Sequence, residues 1–114
     1  MNKDKILRKS EDFSNIISTG QNYKNKYFSI YYKESNLTLY GITVPKKIGI
    51  AVIRNKLKRQ VKNIISNNEK YIQSKHNYVI IIKEPTLKLD YEGLKNNLLD
   101  LMKKVGKKWN KEKY

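Results

Sequence analysis

The chain has 114 residues, enough for one compact core but too few for separate catalytic and binding domains. Its 25 Lys and Arg against 10 Asp and Glu give a formal charge of +15. That excess repels itself in the folded state unless a polyanion relieves it, which points to nucleic acid ahead of an anionic membrane surface or a purely compositional Lys bias. No cysteine is present, which excludes disulfides, thiolate metal sites and a Cys nucleophile, and fits a reducing, cytoplasmic setting.

In chain order, Ser10 followed by Glu11 and Asp12 reads as a helix cap with acids in the first turn. Phe13, Ile16 and Ile17 share a face of that helix, and Gly20 is expected to end it in the left-handed conformation. After a polar stretch, YFSIYYK alternates as a strand, with Phe28, Ile30 and Tyr32 on one face and Tyr27, Ser29 and Tyr31 on the other. LTLYGITVP alternates Tyr40, Ile42 and Val44 and stops at Pro45, which cannot donate to a ladder. The two strands are expected to pair as a hairpin through ESN.

AVIRNKLKRQVKN has a helical period. Ile53, Leu57, Val61 and Ile64 form the stripe to be buried, while Arg54, Lys58 and Lys62, with Asn55 and Arg59 beside them, form a ridge facing away. From Ser35 to Asn68 there is no Asp or Glu, so the ridge has no local counter-charge. Like charges one turn apart destabilise a helix by a few tenths of a kcal/mol per pair, a cost that a bound anion offsets.

The helix is expected to run to about Glu69. SKHN then turns into YVIIIK, a buried central strand, closed by Glu84, Pro85 and Thr86. Asp90 caps a last helix whose apolar face is Tyr91, Leu94, Leu98, Leu101, Met102 and Val105. The polar, basic end, residues 106–114, is expected to fray. The N-terminal segment has no apolar run of signal-peptide length, and YVIII at 78–82 is too short to span a bilayer, so no membrane partner is expected. The whole reads as a single α+β domain, a small two-layer sandwich with helices packed on one sheet.

Candidates for chemistry are few. His76 is the sole histidine and falls in a polar turn, where a surface role is expected. The paired acids Glu11–Asp12 and Asp90/Glu92 stand where helix N-termini favour negative charge. PKKIGIAV has too few glycines for a phosphate loop. What remains is the basic ridge and the tyrosines. Tyr27 and Tyr31, on the strand face opposite Phe28 and Ile30, are the better placed to stack unpaired bases.

The stretch VPKKIGIAVIRNKLKRQVKN resembles the signature of the protein component of bacterial ribonuclease P, a Val-rich strand end, Lys-Lys-x-Gly, then Ala-Val-x-Arg-Asn-Arg-x-Lys-Arg. SEDFSNIISTG, YFSIYY, YVIIIKEP and LDYEGLKNNLLDLMKKV resemble further family elements in the right order, so the likeness covers about residues 6–105. It implies the order α-β-β-β-α-β-α with a short first strand, as in the second domain of a small-subunit ribosomal protein, with a left-handed strand-helix-strand crossover. It also implies a non-catalytic partner of a large RNA that removes the 5′ leader from precursor tRNA, with magnesium held mainly by that RNA and no protein partner. A general RNA-binding or ribosomal protein on the same fold is the alternative.

By the same resemblance, Lys46, Lys47, Arg54, Asn55, Lys56, Lys58, Arg59 and Lys62 face the catalytic RNA. Phe13, Ile17, Phe28 and Tyr31, with Lys58 and Lys62, contact the leader. No catalytic residue is implied in this chain, and no metal ligand is assigned. Lys56 stands where a second arginine is usual, which keeps the charge but loses the bidentate fork. Ile50 stands where Asn is common before the helix, which removes a side-chain cap.

Overall fold

The computed structural model describes residues 6–7 and 10–113, without the side chains of Ser10 and residues 106–113. The expected capping contact of Ser10 and any role for the basic side chains of the tail therefore lie outside the described residues. The elements are α1 (Ser10–Thr19), β1 (Gln21–Lys24), β2 (Phe28–Glu34), β3 (Leu39–Thr43), α2 (Ala51–Asn67), β4 (His76–Ile82) and α3 (Tyr91–Lys113), joined by short 3-10 turns. The expected α-β-β-β-α-β-α order is the order found.

The strands form one sheet in the order β1-β2-β4-β3. β4 lies antiparallel to β2 and parallel to β3. The expected hairpin between β2 and β3 therefore does not form. β4 is a run of apolar β-branched residues that needs cover on both faces, and the central position supplies it. The hairpin is instead β1–β2, held by Asn25, whose Oδ1 accepts from the backbone N–H of Tyr27 and of Phe28, both at 2.8 Å.

Register assigns the two faces. Phe28, Ile30, Tyr32, Tyr40, Ile42, Tyr78, Ile80 and Ile82 point to one side, where they join Leu57, Val61, Ile64 and Ile65 of α2 and Leu94, Leu98, Leu101, Met102 and Val105 of α3 in the main core. Tyr40 and Tyr78 stack there at 5.5 Å, and the Tyr78 hydroxyl donates to the Gln73 carbonyl at 2.5 Å. Leu7, Ile16 and Val79 form a smaller cluster on the opposite face, under α1.

Several local expectations are corrected. Gly20 does not adopt a positive φ. It is required by close approach, since a Cβ there would stand 2.5 Å from the Ile16 carbonyl oxygen and 2.6 Å from that of Tyr32. Ile53 is 39 % exposed, since its side chain lies against Gly49 in the turn before the helix and the buried stripe of α2 begins at Leu57. α2 ends at Asn67, and the Asn68 side chain donates to the Ile64 carbonyl at 2.7 Å. His76 is buried rather than on the surface. It begins β4 on the same face as Tyr78, with Nδ1 2.9 Å from the Ser74 carbonyl oxygen. Tyr27 precedes β2 and packs against the end of the main core, so strand alternation does not govern it. The backbone of α3 is helical through Lys113, where a frayed tail was expected. The Asp90 cap is as expected, with Oδ1 accepting from the Gly93 N–H at 2.8 Å.

Two stability predictions follow from these contacts. Ile50 occupies the cap position of α2 with φ −67° and ψ 167° and offers no side-chain acceptor, while 69 % of it is exposed. Ile50→Asn should therefore raise unfolding free energy by about 1 kcal/mol in urea titrations. The second concerns pH. Burial, reinforced by the charge of Glu69, raises the Tyr40 hydroxyl from 10.0 to about 12, and burial also raises Tyr78, with Tyr40 and Tyr32 adding. Between these values the folded chain keeps a proton that the unfolded chain has lost, so stability should fall as pH rises from about 10 through about 12. The loss from Tyr40 is on the order of 2 kcal/mol, and the fall should be shallower in Tyr40→Phe.

Candidate RNA-binding surfaces

The basic ridge is organised by the packing of α2. With Leu57, Val61, Ile64 and Ile65 buried on the sheet, Asn55, Lys56 and Arg59 are exposed and Lys58 and Lys62 half-exposed along the outer side of the helix. Lys46 and Lys47 are exposed on the 3-10 turn that leads into it. Arg54 differs from the rest. Its Nε donates to the Gly49 carbonyl at 3.1 Å, so the guanidinium braces the turn before the helix with part of its donor set already engaged. The first turn also exposes Val52 at 73 %, next to the exposed Ile50.

The second surface lies across the sheet. Register places Ser29 and Tyr31 of β2, Val79 and Ile81 of β4, and Gly41 and Thr43 of β3 on the face opposite α2. Helix α1 covers one half of this face. Ile16 points down onto Val79, and the Phe13 ring lies where a side chain on Gly41 would be, so that position accepts only glycine without the ring moving. On one flank of α1, Asn15 and Thr19 accept hydrogen bonds from the Lys33 Nζ, each at 3.2 Å, which ties the helix to β2. The other flank carries Phe13 and Ile17.

Those two face the half of the sheet that α1 leaves open, where Tyr31 and Ile81 are only partly buried and Lys24 and Thr43 are exposed. Phe13, Tyr31 and Ile81 pack together against the small cluster of Leu7, Ile16 and Val79, helical spacing sets the exposed Ile17 on the same flank as Phe13, and Lys24 stands at the rim, an arrangement that can serve as an apolar, aromatic cleft. On the Lys33 flank a separate hollow of about 220 Å³ is lined by Asp12, Asn15, Lys33, Glu34 and Asn77, among others. Its two carboxylates make it a poor phosphate site.

Three of the expected leader contacts fall elsewhere. Phe28 has no exposed surface and belongs to the main core on the other side of the sheet, where no ligand reaches it. Lys58 and Lys62 belong to the α2 ridge, which packs on the opposite face from Tyr31. Sequence reasoning passed over Lys24, Lys33 and Ile81. The period-2 pattern that singled out Tyr31 also places Lys33 two residues on, and the remainder needed the register of β1 and β4. Among the described residues no group of three or more His, Cys, Asp or Glu is placed to hold a metal ion. No helix among them is long and apolar enough to cross a membrane.

Comparison with known proteins gives one answer throughout. The sequence model of the Ribonuclease P family matches residues 1–106. The ribonuclease P protein component of Mycoplasma mycoides is 37% identical over 108 residues, covering 92% of this chain and 99% of that protein. The one from Streptococcus agalactiae is 35% identical, covering 93% and 98%. Among solved structures, the RNase P protein from Thermotoga maritima superposes with a TM-score of 0.81 at 31% identity, covering 86% of this chain and 94% of that one. The Staphylococcus aureus RNase P protein gives 0.82 at 26% identity, covering 89% and 94%. With an acid-free basic helix, an aromatic cleft and this agreement over nearly its full length, the chain belongs to the ribonuclease P protein component family.

Proposed function

We propose that this chain is the RNA-binding subunit of a ribonuclease P, holding the catalytic RNA on the α2 ridge and the single-stranded 5′ leader of precursor tRNA in the cleft between α1 and the sheet. The observation that carries the reading is the separation of two chemically different surfaces by the sheet itself. The ridge offers Lys46, Lys47, Lys56, Lys58, Arg59 and Lys62 with little apolar surface beyond the first helical turn, which suits the phosphates of a folded RNA. Asn55 can donate to phosphate or sugar oxygens between them, and Arg54 retains its terminal nitrogens for the same purpose.

The cleft offers Phe13, Ile17 and Tyr31 with lysine only at its edge, which suits unpaired bases. Stacking on such a platform contributes roughly 1 to 3 kcal/mol per base and tolerates any sequence. Magnesium enters this reading as an ion held by the RNA, where it supplies the activated water for hydrolysis. The protein's own residues position the substrate and lower the repulsion between two polyanions.

Two measurements separate the surfaces. Lys58→Ala combined with Arg59→Ala should weaken binding to the catalytic RNA on the order of tenfold and flatten the slope of log K against log salt by about 2. Tyr31→Ala should leave that affinity and slope unchanged and instead reduce the preference for leader-bearing over mature tRNA by roughly fivefold or more. The reverse pattern would overturn the assignment.

A further inference from the structure

Tyr27 was singled out with Tyr31 as a candidate stacking residue, yet the fold removes it from the cleft face. It lines a different hollow of about 300 Å³ at the end of the sheet, shared with Lys26, Glu84, Pro85, Leu87 and Lys88. The walls are held in place by a dense set of bonds. The Lys83 N–H donates to the Tyr27 carbonyl at 2.9 Å, and its Nζ donates to the Asn25 carbonyl at 2.7 Å. The Asn25 side chain fixes the N–H groups of Tyr27 and Phe28 and donates to the Asn97 carbonyl at 3.2 Å. On the other wall, the buried Thr86 hydroxyl donates to the Lys83 carbonyl at 2.7 Å. The hollow is therefore formed before any ligand arrives.

Its lining has a specific chemistry. Tyr27 gives a half-exposed ring with the Lys26 Nζ 5.8 Å from its centroid. Pro85 and Leu87 add apolar surface, and Leu87 is 46 % exposed. Lys26 and Lys88 are exposed at the rim. Glu84 supplies an acceptor that repels phosphate but accepts from an exocyclic base amine. A flat apolar platform with one acceptor and two flanking cations matches one unpaired nucleotide bearing an amino group.

The turn that carries Glu84 to Lys88 also packs on the Lys46–Ile48 turn of the ridge, so the hollow lies between the two RNA surfaces, and its aromatic lining favours unpaired leader nucleotides. The hollow adjoins the Phe28–Ile82 end of the sheet, one strand residue from the Ser29–Ile81 pair on the half of the outer face that α1 leaves open. Tyr27 and Tyr31 are four residues apart, about 13 Å in an extended chain. We infer that the Tyr27 hollow is a second base subsite, taking a leader nucleotide that lies beyond those on the Tyr31 cleft, with preference for an amino-bearing base. This rests on the leader-cleft reading above.

The test uses the reconstituted complex of protein and catalytic RNA with precursor tRNAs of increasing leader length. Tyr27→Leu, which keeps apolar packing, should weaken binding roughly fivefold or more once the leader reaches the hollow. It should leave shorter leaders, mature tRNA and the catalytic RNA unaffected. An abasic nucleotide at one leader position should reproduce the loss and add nothing to Tyr27→Leu. Glu84→Gln should erase the preference for an amino-bearing base at that position. Leu87→Ala, on an exposed side chain, should give a smaller loss with unchanged urea unfolding, which guards against a folding defect in Tyr27→Leu. A Tyr27→Leu effect independent of leader length, or one seen in catalytic-RNA binding, would overturn the inference. If Tyr31→Ala lowers leader affinity in the same assay while Tyr27→Leu does not, the hollow fails and the cleft stands; if neither has an effect, the cleft reading fails first.

Discussion

Everything in this molecule depends on β4 sitting between β2 and β3. Its residues Tyr78, Val79 and Ile80 have no exposed surface, because alternate side chains enter the main core and the small cluster under α1. That double burial fixes register on both sides, since a slip of one residue would exchange the faces. The parallel pairing of β4 with β3 puts the two ends of the β3–α2–β4 connection at opposite ends of the sheet, and so forces α2 to cross one face of it. The double burial also decides that the outer face is built from Ser29, Tyr31, Val79 and Ile81, the floor on which the cleft rests.

Charge and packing then act on α2 in opposite senses. Leu57, Val61 and Ile64 hold the helix down, while Lys58, Arg59 and Lys62 repel one another along it with no acid in the surrounding sequence to relieve them. Sheet packing absorbs a cost that an isolated helix would not tolerate. A bound polyanion would convert the same repulsion into affinity, so the helix is least comfortable when the protein is alone. Arg54 shows the compromise locally, spending one donor on Gly49 to steady a first turn that lacks a side-chain cap.

Much of this was legible in the sequence, for identifiable reasons. Periodicity located α2 and α3 because long amphipathic helices repeat their pattern many times, and the Asp90 cap followed from local chemistry alone. The ridge was legible because an absence of acids is a property of sequence. The pairing of strands was not, since alternation reports a buried face but says nothing about which neighbour lies alongside. That is why a β2–β3 hairpin was expected where β4 intervenes. Phe28 was grouped with Tyr31 on the family resemblance, although strand alternation sends it to the opposite face, where it is fully buried. His76 and Gly20 were misread for a related reason. Both residue types commonly serve in turns, and only tertiary contact reveals one as a core ring and the other as a point of backbone approach.

The central proposal is that this chain binds and positions RNA while the cleavage chemistry lies in its RNA partner. The most direct measurement is cleavage of a leader-bearing precursor tRNA at low magnesium by the protein alone, by the catalytic RNA alone and by the two together. The account predicts no cleavage by the protein alone, slow cleavage by the RNA alone, and marked acceleration when both are present. Cleavage by the purified protein without RNA would contradict it.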